Sequence, residues 1–426
     1  MRTLYAIIYT LGFILATPYW LTRGILNPLY LKTLKQRFIG PGKILPRIGD
    51  KRRIWVWAMS LGEVLAAREL VSELEKDGHE VIISATTLAG LAMAKNRWPN
   101  NIVLPSPLDF SLSTRRFLEH TQPDWLVLVE TDIWPGIFMA CRKRSIKNAL
   151  VSARLSPRSF KNYQRVGFFW SRVLKYVDRI VTQTPEDREK FTVLGADPGT
   201  LSVGGNLKFD LAAPTEGPNA RESLIRETGW PEGRYLVAGS FHAGEDLMIL
   251  EIFQSLLTKF PGLKLLLAPR DRHKFTQTYR LSQEFFPLKT ARRSHPNPTD
   301  QEAIVFILDT LGELERFYSL ADLALVGKSW PGHHEGGGHN PLEAAVRGRP
   351  VVAGPLSHNF KWIYEALTET GGALIVEKKD LLDRLTELLS APERLNRMGA
   401  AGQDFVAKHR GAARSTIEIL GVSLGQ

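Results

Sequence analysis

Hydrophobic and polar positions alternate along this chain on two length scales. The longest uncharged apolar stretch comes first, Thr3 to Leu21, reading TLYAIIYTLGFILATPYWL. A helix of that length just reaches across roughly 30 Å of hydrocarbon. Tyr5, Tyr9, Tyr19 and Trp20 suit the interfacial belts of a bilayer. Pro18 and the threonines also admit a shallow helix lying in the interface, and a buried core helix is a further reading. A cleavable signal peptide fits less well, because Arg2 alone would form its charged region and no small-x-small site follows. The expectation is a membrane anchor over 1–22.

Beyond residue 50 the pattern becomes short apolar runs separated by helical periodicity. Ile54–Met59, Glu80–Thr87, Trp125–Thr131, Asn148–Ala153 and Arg179–Thr184 read as strands. The rhythm breaks at Asn206–Asn219, which contains Pro214, Gly217 and Pro218, and that break predicts a linker. It restarts with Arg234–Ser240, Leu263–Pro269, Ala303–Leu308, Leu323–Gly327 and Pro350–Gly354. Strands alternating with helices predict an α/β chain with two doubly wound parallel sheets. The predicted domains are 23–210 and 211–426, with a ligand cleft at the strand ends.

Charge sharpens the picture. The 426 residues carry a formal net charge of +11, with a cluster at Lys32, Lys35, Arg37, Lys43, Arg47, Lys51, Arg52 and Arg53 opposed only by Asp50. No RNA-binding motif accompanies it, so an anionic membrane surface is the expected partner rather than nucleic acid. The lone Cys141 excludes a disulfide framework and a multi-cysteine metal site. It follows the apolar run IFMA and reads as a buried structural thiol.

The candidate chemistry sits at strand ends. In the first half, Ser60-Leu61-Gly62-Glu63 follows the first strand directly. Glu63 there can accept a proton as a general base, or can serve as a first-turn acid favoured by the helix dipole. Glu130 and Asp132 end another strand and either face a ligand or pair with Arg154 or Arg158. In the second half, Pro269-Arg270 places an arginine after a strand, where its fork can grip a phosphate or simply meet a surface carboxylate. Leu311, Gly312 and Glu313 follow Asp309, a possible N-cap, at a predicted helix start. Asn340 reads as an N-cap with Pro341 at the first helical position and Glu343 at capping-box spacing. The free N–H groups of such a turn are also a phosphate site. His333, His334 and His339 lie close in sequence without a matching carboxylate pattern, so no metal is expected. Gly327-Lys328-Ser329 lacks the upstream glycine of a P-loop, and no G-x-G-x-x-G follows the first strand.

Together the strings SLGEVLAA, TTLAG, PLD, ETDIWP, ARLSPRS, GNLKFD, AGSFHAGE, PR, DTLGEL, GGHNPLEAA and GP…NF occur in an order that resembles the 3-deoxy-D-manno-octulosonic acid (Kdo) transferases. The likeness covers nearly the whole chain. It implies a two-lobed GT-B fold and an inverting transfer of Kdo from CMP-Kdo to the lipid A precursor, without metal or cofactor. It makes Glu63 the base. It assigns Pro269, Arg270, Leu311, Gly312, Glu313, Asn340, Pro341, Leu342 and Glu343 to CMP, and Ser60, Gly62, Glu130 and Lys208 to the acceptor side or to structure. It also implies a bacterial inner-membrane location with the catalytic domains on the cytoplasmic side, where the basic run places them. The chain departs from the family at Trp57, usually histidine, at Asp271, also histidine, at Ser152, usually asparagine, and at Lys328, usually glycine. Rival readings are a transferase using a UDP- or GDP-sugar and a silent protein that binds lipid A precursor.

Overall fold

The computed structural model describes residues 2–26, 28–130, 133–210, 219–242, 244–332 and 336–422. Asp132, the predicted linker residues Pro214, Gly217 and Pro218, and His333 and His334 lie outside them. The chain forms two compact units. One comprises Met1–Leu211 with His409–Gln426, the other Ala212–Lys408.

The first unit is built on strands β1 (Arg53–Ala58), β2 (Glu80–Ala85), β3 (Ile102–Pro105), β4 (Trp125–Val129), β5 (Lys147–Ala153), β6 (Arg179–Thr182) and β7 (Leu201–Val203). They pair in the order β3-β2-β1-β4-β5-β6-β7, all parallel. β1 and β2 are buried along their whole length, as expected for strands covered on both faces. Their register starts with Arg53 opposite Glu80. There the fully buried guanidinium meets the carboxylate in two bonds of 2.9 Å and also donates to the Thr121 carbonyl at 2.6 Å. A pair this buried adds little net stability but is costly to break from one side, by about 3–5 kcal/mol.

The second unit holds β8 (Arg234–Phe241), β9 (Leu263–Pro269), β10 (Thr290–Arg292), β11 (Val305–Ile307), β12 (Ala321–Val326), β13 (Val351–Ala353) and β14 (Ala373–Ile375). Their order is β10-β11-β9-β8-β12-β13-β14, again parallel. Each unit has a hydrophobic core of its own, for example Leu70, Val71 and Ile83 in the first and Leu250, Phe253 and Leu267 in the second. The doubly wound α/β expectation is met in both.

One expectation needs correction. The second domain predicted over 211–426 includes the tail, yet the helix Ala412–Leu420 packs in the first unit. Asp210 explains the return. Its carboxylate accepts from the Gly411 N–H at 2.6 Å and from the Ala413 N–H, and so caps the helix that the tail brings back. His79 Nε2 and the Val422 carbonyl meet at 2.6 Å farther on.

At the N-terminus the expected membrane anchor is not shown. Arg2–Leu26 is a helix, but among the described residues no helix is long and apolar enough to cross a membrane. One side of this helix is held by the first unit. The Tyr5 hydroxyl donates to Asp109 Oδ2 at 2.5 Å, and the Tyr9 hydroxyl accepts from the Asp109 N–H at 3.1 Å. Phe13 sets its ring edge-on against Phe38 and Phe110. The other side leaves Ile7, Ile8, Leu11, Ile14 and Leu15 exposed, Leu15 at 81%.

Candidate active-site residues

In both sheets the chain reverses direction of addition once, between β1 and β4 and between β8 and β12. Ligands bind open α/β sheets at the carboxyl ends of strands next to such a switch. Glu63 and Glu130 follow β1 and β4 at the first switch, and in the second unit Arg270 follows β9 beside β8, with Leu311–Glu313 after β11. Left-handed backbone collects there too. Among non-glycine residues, Glu130 (φ 64°) follows β4, Ser152 (φ 51°) and Ser240 (φ 56°) are penultimate in β5 and β8, and Lys328 (φ 59°) lies just past β12. Each such residue costs of order 1–3 kcal/mol, and such strain gathers at functional sites.

After β1, Ser60 enters the helix Leu61–Ala66 in extended conformation. Glu63 folds back so that Oε2 accepts from the Met59 N–H at 2.5 Å and Oε1 accepts from the Ser60 hydroxyl at 3.0 Å. Glu63 is thus a first-turn acid, Ser60 makes no side-chain cap to the helix, and the two bonds fix the carboxylate at the strand end. The turn is braced from outside. The N–H groups of Thr86 and Thr87 both donate to the Met59 carbonyl, at 3.1 and 3.0 Å. Gly90 passes so close that a Cβ there would lie 3.1 Å from the Ser60 carbonyl carbon. The TTLAG string therefore supports the Glu63 turn, a role that spacing alone did not reveal. Gly62 is exposed, and a Cβ there would meet only the Ser60 hydroxyl at 3.9 Å.

Glu130 and Lys208, far apart in sequence, are joined. Lys208 Nζ lies 2.5 Å from Glu130 Oε1, with Arg154 Nε 3.8 Å from Oε2. Of the two readings of Glu130, pairing with a base is realised with Arg154 and, more closely, with Lys208. Ser152 Oγ accepts from the Leu207 N–H at 3.3 Å and from the Gln183 amide at 3.2 Å, tying β5 to the segment that carries Lys208. Trp57 is buried, stacked between Trp55 and Trp134, and donates to Thr86 Oγ1 at 3.3 Å. Where the family usually has histidine, this chain therefore has part of a core. Cys141 is buried as expected, and burial pushes its thiol far above the ordinary value.

In the second unit Pro269 ends β9 and Arg270 is exposed. The Arg270 N–H donates to the Phe241 carbonyl at 3.1 Å, which fixes its backbone beside the end of β8. Among the described residues its guanidinium has no carboxylate partner, so the surface salt-bridge reading is not met. Asp271 caps the short turn Arg272–Lys274 by accepting from the His273 N–H at 2.9 Å.

The Leu311–Glu313 segment differs from a plain capped helix start. The helix is only Leu314–Phe317, and Asp309 does not cap it. Instead Asp309 accepts from the Ser294 N–H at 2.8 Å and pairs with Arg292 at 2.6 Å. Burial opposes its charge, but the Ser294 and Arg292 contacts outweigh burial and hold the carboxyl below its usual range. Gly312 adopts φ 86°, Leu311 is 65% exposed, and Glu313 is engaged by Arg293 at 3.1 Å and by the Thr310 hydroxyl.

Asn340 does cap: its Oδ1 accepts from the Leu342 N–H at 3.1 Å. The helix that follows, Leu342–Ala345, is a single turn, so its dipole is slight and local N–H groups replace the expected macrodipole. The glycine loop before it is pinned at Gly337 N–H to the Leu356 carbonyl (3.0 Å), at Gly338 N–H to the Lys328 carbonyl (2.8 Å), and at the His339 carbonyl by the Tyr364 hydroxyl (2.9 Å). Burial, then nearby Glu343, raises the Tyr318 and Tyr364 hydroxyls well above their ordinary value. Glu245, 1% exposed, accepts from the N–H groups of His242, Lys328, Ser329 and Trp330 and so joins the ends of β8 and β12. His242 and Glu245 were not among the expected site residues. The sequence signals were the family-like string AGSFHAGE and its place directly after a buried strand.

Residues 32–211 match the family described as 3-deoxy-D-manno-octulosonic-acid transferase (kdotransferase), and residues 249–405 match glycosyl transferases group 1. The chain is 32% identical over 412 residues to the 3-deoxy-D-manno-octulosonic acid transferase of Haemophilus influenzae, covering 93% of this chain and 92% of that protein. The enzyme of the same name from Bordetella pertussis is 34% identical over 386 residues, covering 87% of each. In fold, the chain is similar to the UDP-GlcNAc 2-epimerase of Neisseria meningitidis, with TM-score 0.60 at 13% identity over 87% of this chain and all of that one. Two seven-stranded parallel sheets make the fold GT-B-like. The sequence therefore belongs to the Kdo transferase family of glycosyltransferases.

Proposed function

We propose that this enzyme transfers Kdo from CMP-Kdo to the phosphorylated, acylated glucosamine disaccharide of the lipid A precursor, with inversion and no covalent intermediate. The observation that carries this reading is the fixed Glu63 carboxylate at the carboxyl end of β1, next to the switch of the first sheet. An acceptor hydroxyl attacking C2 of Kdo must lose a proton, and Glu63 takes it. Positioned bases contribute on the order of 10²–10⁴-fold. The C2–O bond to the donor phosphate breaks, and its electron pair leaves with CMP. Arg270 and the N–H groups of the Leu311–Glu313 and Asn340–Glu343 turns receive the growing phosphate charge.

The N-terminal helix fits a membrane-bound acceptor. Its outward apolar face suits shallow burial in the headgroup region, and the basic run Lys32–Arg53 attracts anionic lipid at about 1 kcal/mol per side chain near the surface. This reading puts the protein on the cytoplasmic face of a bacterial inner membrane.

The test is transfer by purified, detergent-solubilised protein from CMP-Kdo to tetraacylated lipid A precursor, followed by lipid mass. Wild type adds one or more Kdo residues. Glu63→Ala loses about 10²–10⁴-fold in rate while still binding CMP, and retained turnover removes Glu63 from the base role. Arg270→Ala weakens donor affinity, by about tenfold for a charged bond. Turnover of UDP-sugars in place of CMP-Kdo overturns the donor assignment.

A further inference from the structure

At the switch of the second sheet two imidazoles meet. His242 follows β8 directly, and His339 ends the glycine loop, 97 residues later. Their Nε2 atoms lie 3.0 Å apart, with rings nearly parallel at 11° and centroids 5.3 Å apart. At that distance one nitrogen carries a hydrogen and the other accepts it. Adding one proton gives a charged N–H···N bridge. A second proton would put two like charges in contact, so the pair holds one positive charge at most.

The contact is held from both sides. Glu245 fixes the His242 N–H together with the Lys328–Trp330 backbone. The glycine loop is bonded to the same Lys328 carbonyl through Gly338, and Tyr364 holds the His339 carbonyl. Both rings are half-buried rather than sealed in the core. Asn340 and its capped turn follow His339 directly, and Arg270 is bonded through its N–H to Phe241, the neighbour of His242. The pair thus sits among the groups assigned above to the donor phosphate. Among the described residues, Glu245, Glu343, Tyr364, Lys328 and His358 are charged or titratable groups on the elements packed against it, and Arg270 follows the neighbouring strand.

We propose that His242 and His339 act as one proton-sharing pair that presents a single positive charge to the leaving phosphate of the nucleotide donor. This rests on the donor reading above. In the donor the phosphate carries one negative charge, and after the C2–O bond breaks CMP carries two. A fixed positive charge therefore favours the products of bond breaking over the bound donor, which is the condition for lowering the barrier. The pair's proton stays between the two rings and is not transferred, its charge alone acts on the phosphate, and the acceptor's proton goes to Glu63.

The experiment compares His242→Asn, His339→Asn and the double variant with wild type, measuring CMP and cytidine affinity and the rate of CMP release across roughly pH 5 to 8. Each single variant is expected to lose on the order of 10²-fold in rate, and the double variant little more, because the two act as a unit. CMP affinity falls about tenfold while cytidine affinity is kept. In wild type the rate falls on the alkaline side as the pair loses its proton. The variants lack that limb but keep the acid limb set by the base. Equal loss of CMP and cytidine affinity marks a collapsed loop and overturns the proposal, as does an unchanged alkaline limb. A wild type that shows the CMP-over-cytidine contrast but transfers no Kdo overturns the functional reading and leaves the phosphate contact standing.

Discussion

Lys328 carries left-handed backbone where a side chain is disfavoured, at φ 59°. It persists because its surroundings hold it. Its N–H donates to buried Glu245 at 2.8 Å, and its carbonyl accepts from Gly338 at 2.8 Å. Relatives that place glycine here would adopt this conformation without strain. Lys328→Gly relieves of order 1–3 kcal/mol of strain and gives back about 0.5–1 kcal/mol in unfolded-chain entropy. The expected net gain is about 1 kcal/mol, read as a higher urea midpoint. An unchanged or lower midpoint shows that the lysine side chain stabilises the loop in its own right. At this scale the sequence was a good guide to local placement. Glu63 and Arg270 stand just past β1 and β9 as expected, and Asn340 leads into its short helix. It was blind to pairings made by the fold, such as Glu130 with Lys208 and His242 with His339.

Asp109 shows how one residue can fix two elements. Its carboxylate caps the helix Pro135–Lys143, accepting from the Gly136 and Ile137 N–H groups at 2.7 Å each, and it receives the Tyr5 hydroxyl of the N-terminal helix. Gly136 is required by contact, since a Cβ there would lie 2.7 Å from Asp109 oxygens. Burial nevertheless outweighs these bonds and pushes the carboxyl up to about 6 from 3.8. The folded state therefore holds this proton more tightly than the unfolded chain does. Between about pH 4 and 6 the contribution of Asp109 to stability falls as pH rises, and it is constant above. Asp109→Asn removes that slope, and unfolding free energies of variant and wild type measured across this window are expected to converge toward low pH. Parallel curves would place the proton elsewhere. The strands that the sequence did not reveal are β3, β7, β10 and β14, all at sheet edges and three or four residues long. Each pairs on one side only, so it needs no long apolar run. The buried central strands do, and they were legible for that reason.

For the molecule as a whole, the exposed side of the N-terminal helix and the basic run after it predict two separable contributions to lipid binding. Vesicles containing anionic lipid should retain the protein more strongly than neutral ones, and salt should erase that difference as it screens charge beyond roughly 10 Å at 0.1 M. Substituting Ile8 and Leu15 by glutamate should weaken binding to both kinds of vesicle. Binding that survives both high salt and these substitutions would assign the membrane contact to another surface.

The return of the tail to the first unit also bears on the order of events during synthesis. A ribosome finishes residues 1–211 and then must make all of 212–408 before the helix Ala412–Leu420 emerges. At 5–20 residues per second that interval lasts roughly 10–40 s. Throughout it Asp210 lacks the N–H groups it later caps, and the faces of Leu70, Leu74 and Leu207 that cluster with Ala413, Ile417 and Leu420 stay uncovered. The second unit, continuous in the chain, is the one that can close first, and a nascent chain arrested before Lys408 should present the first unit to chaperones as an unfinished surface.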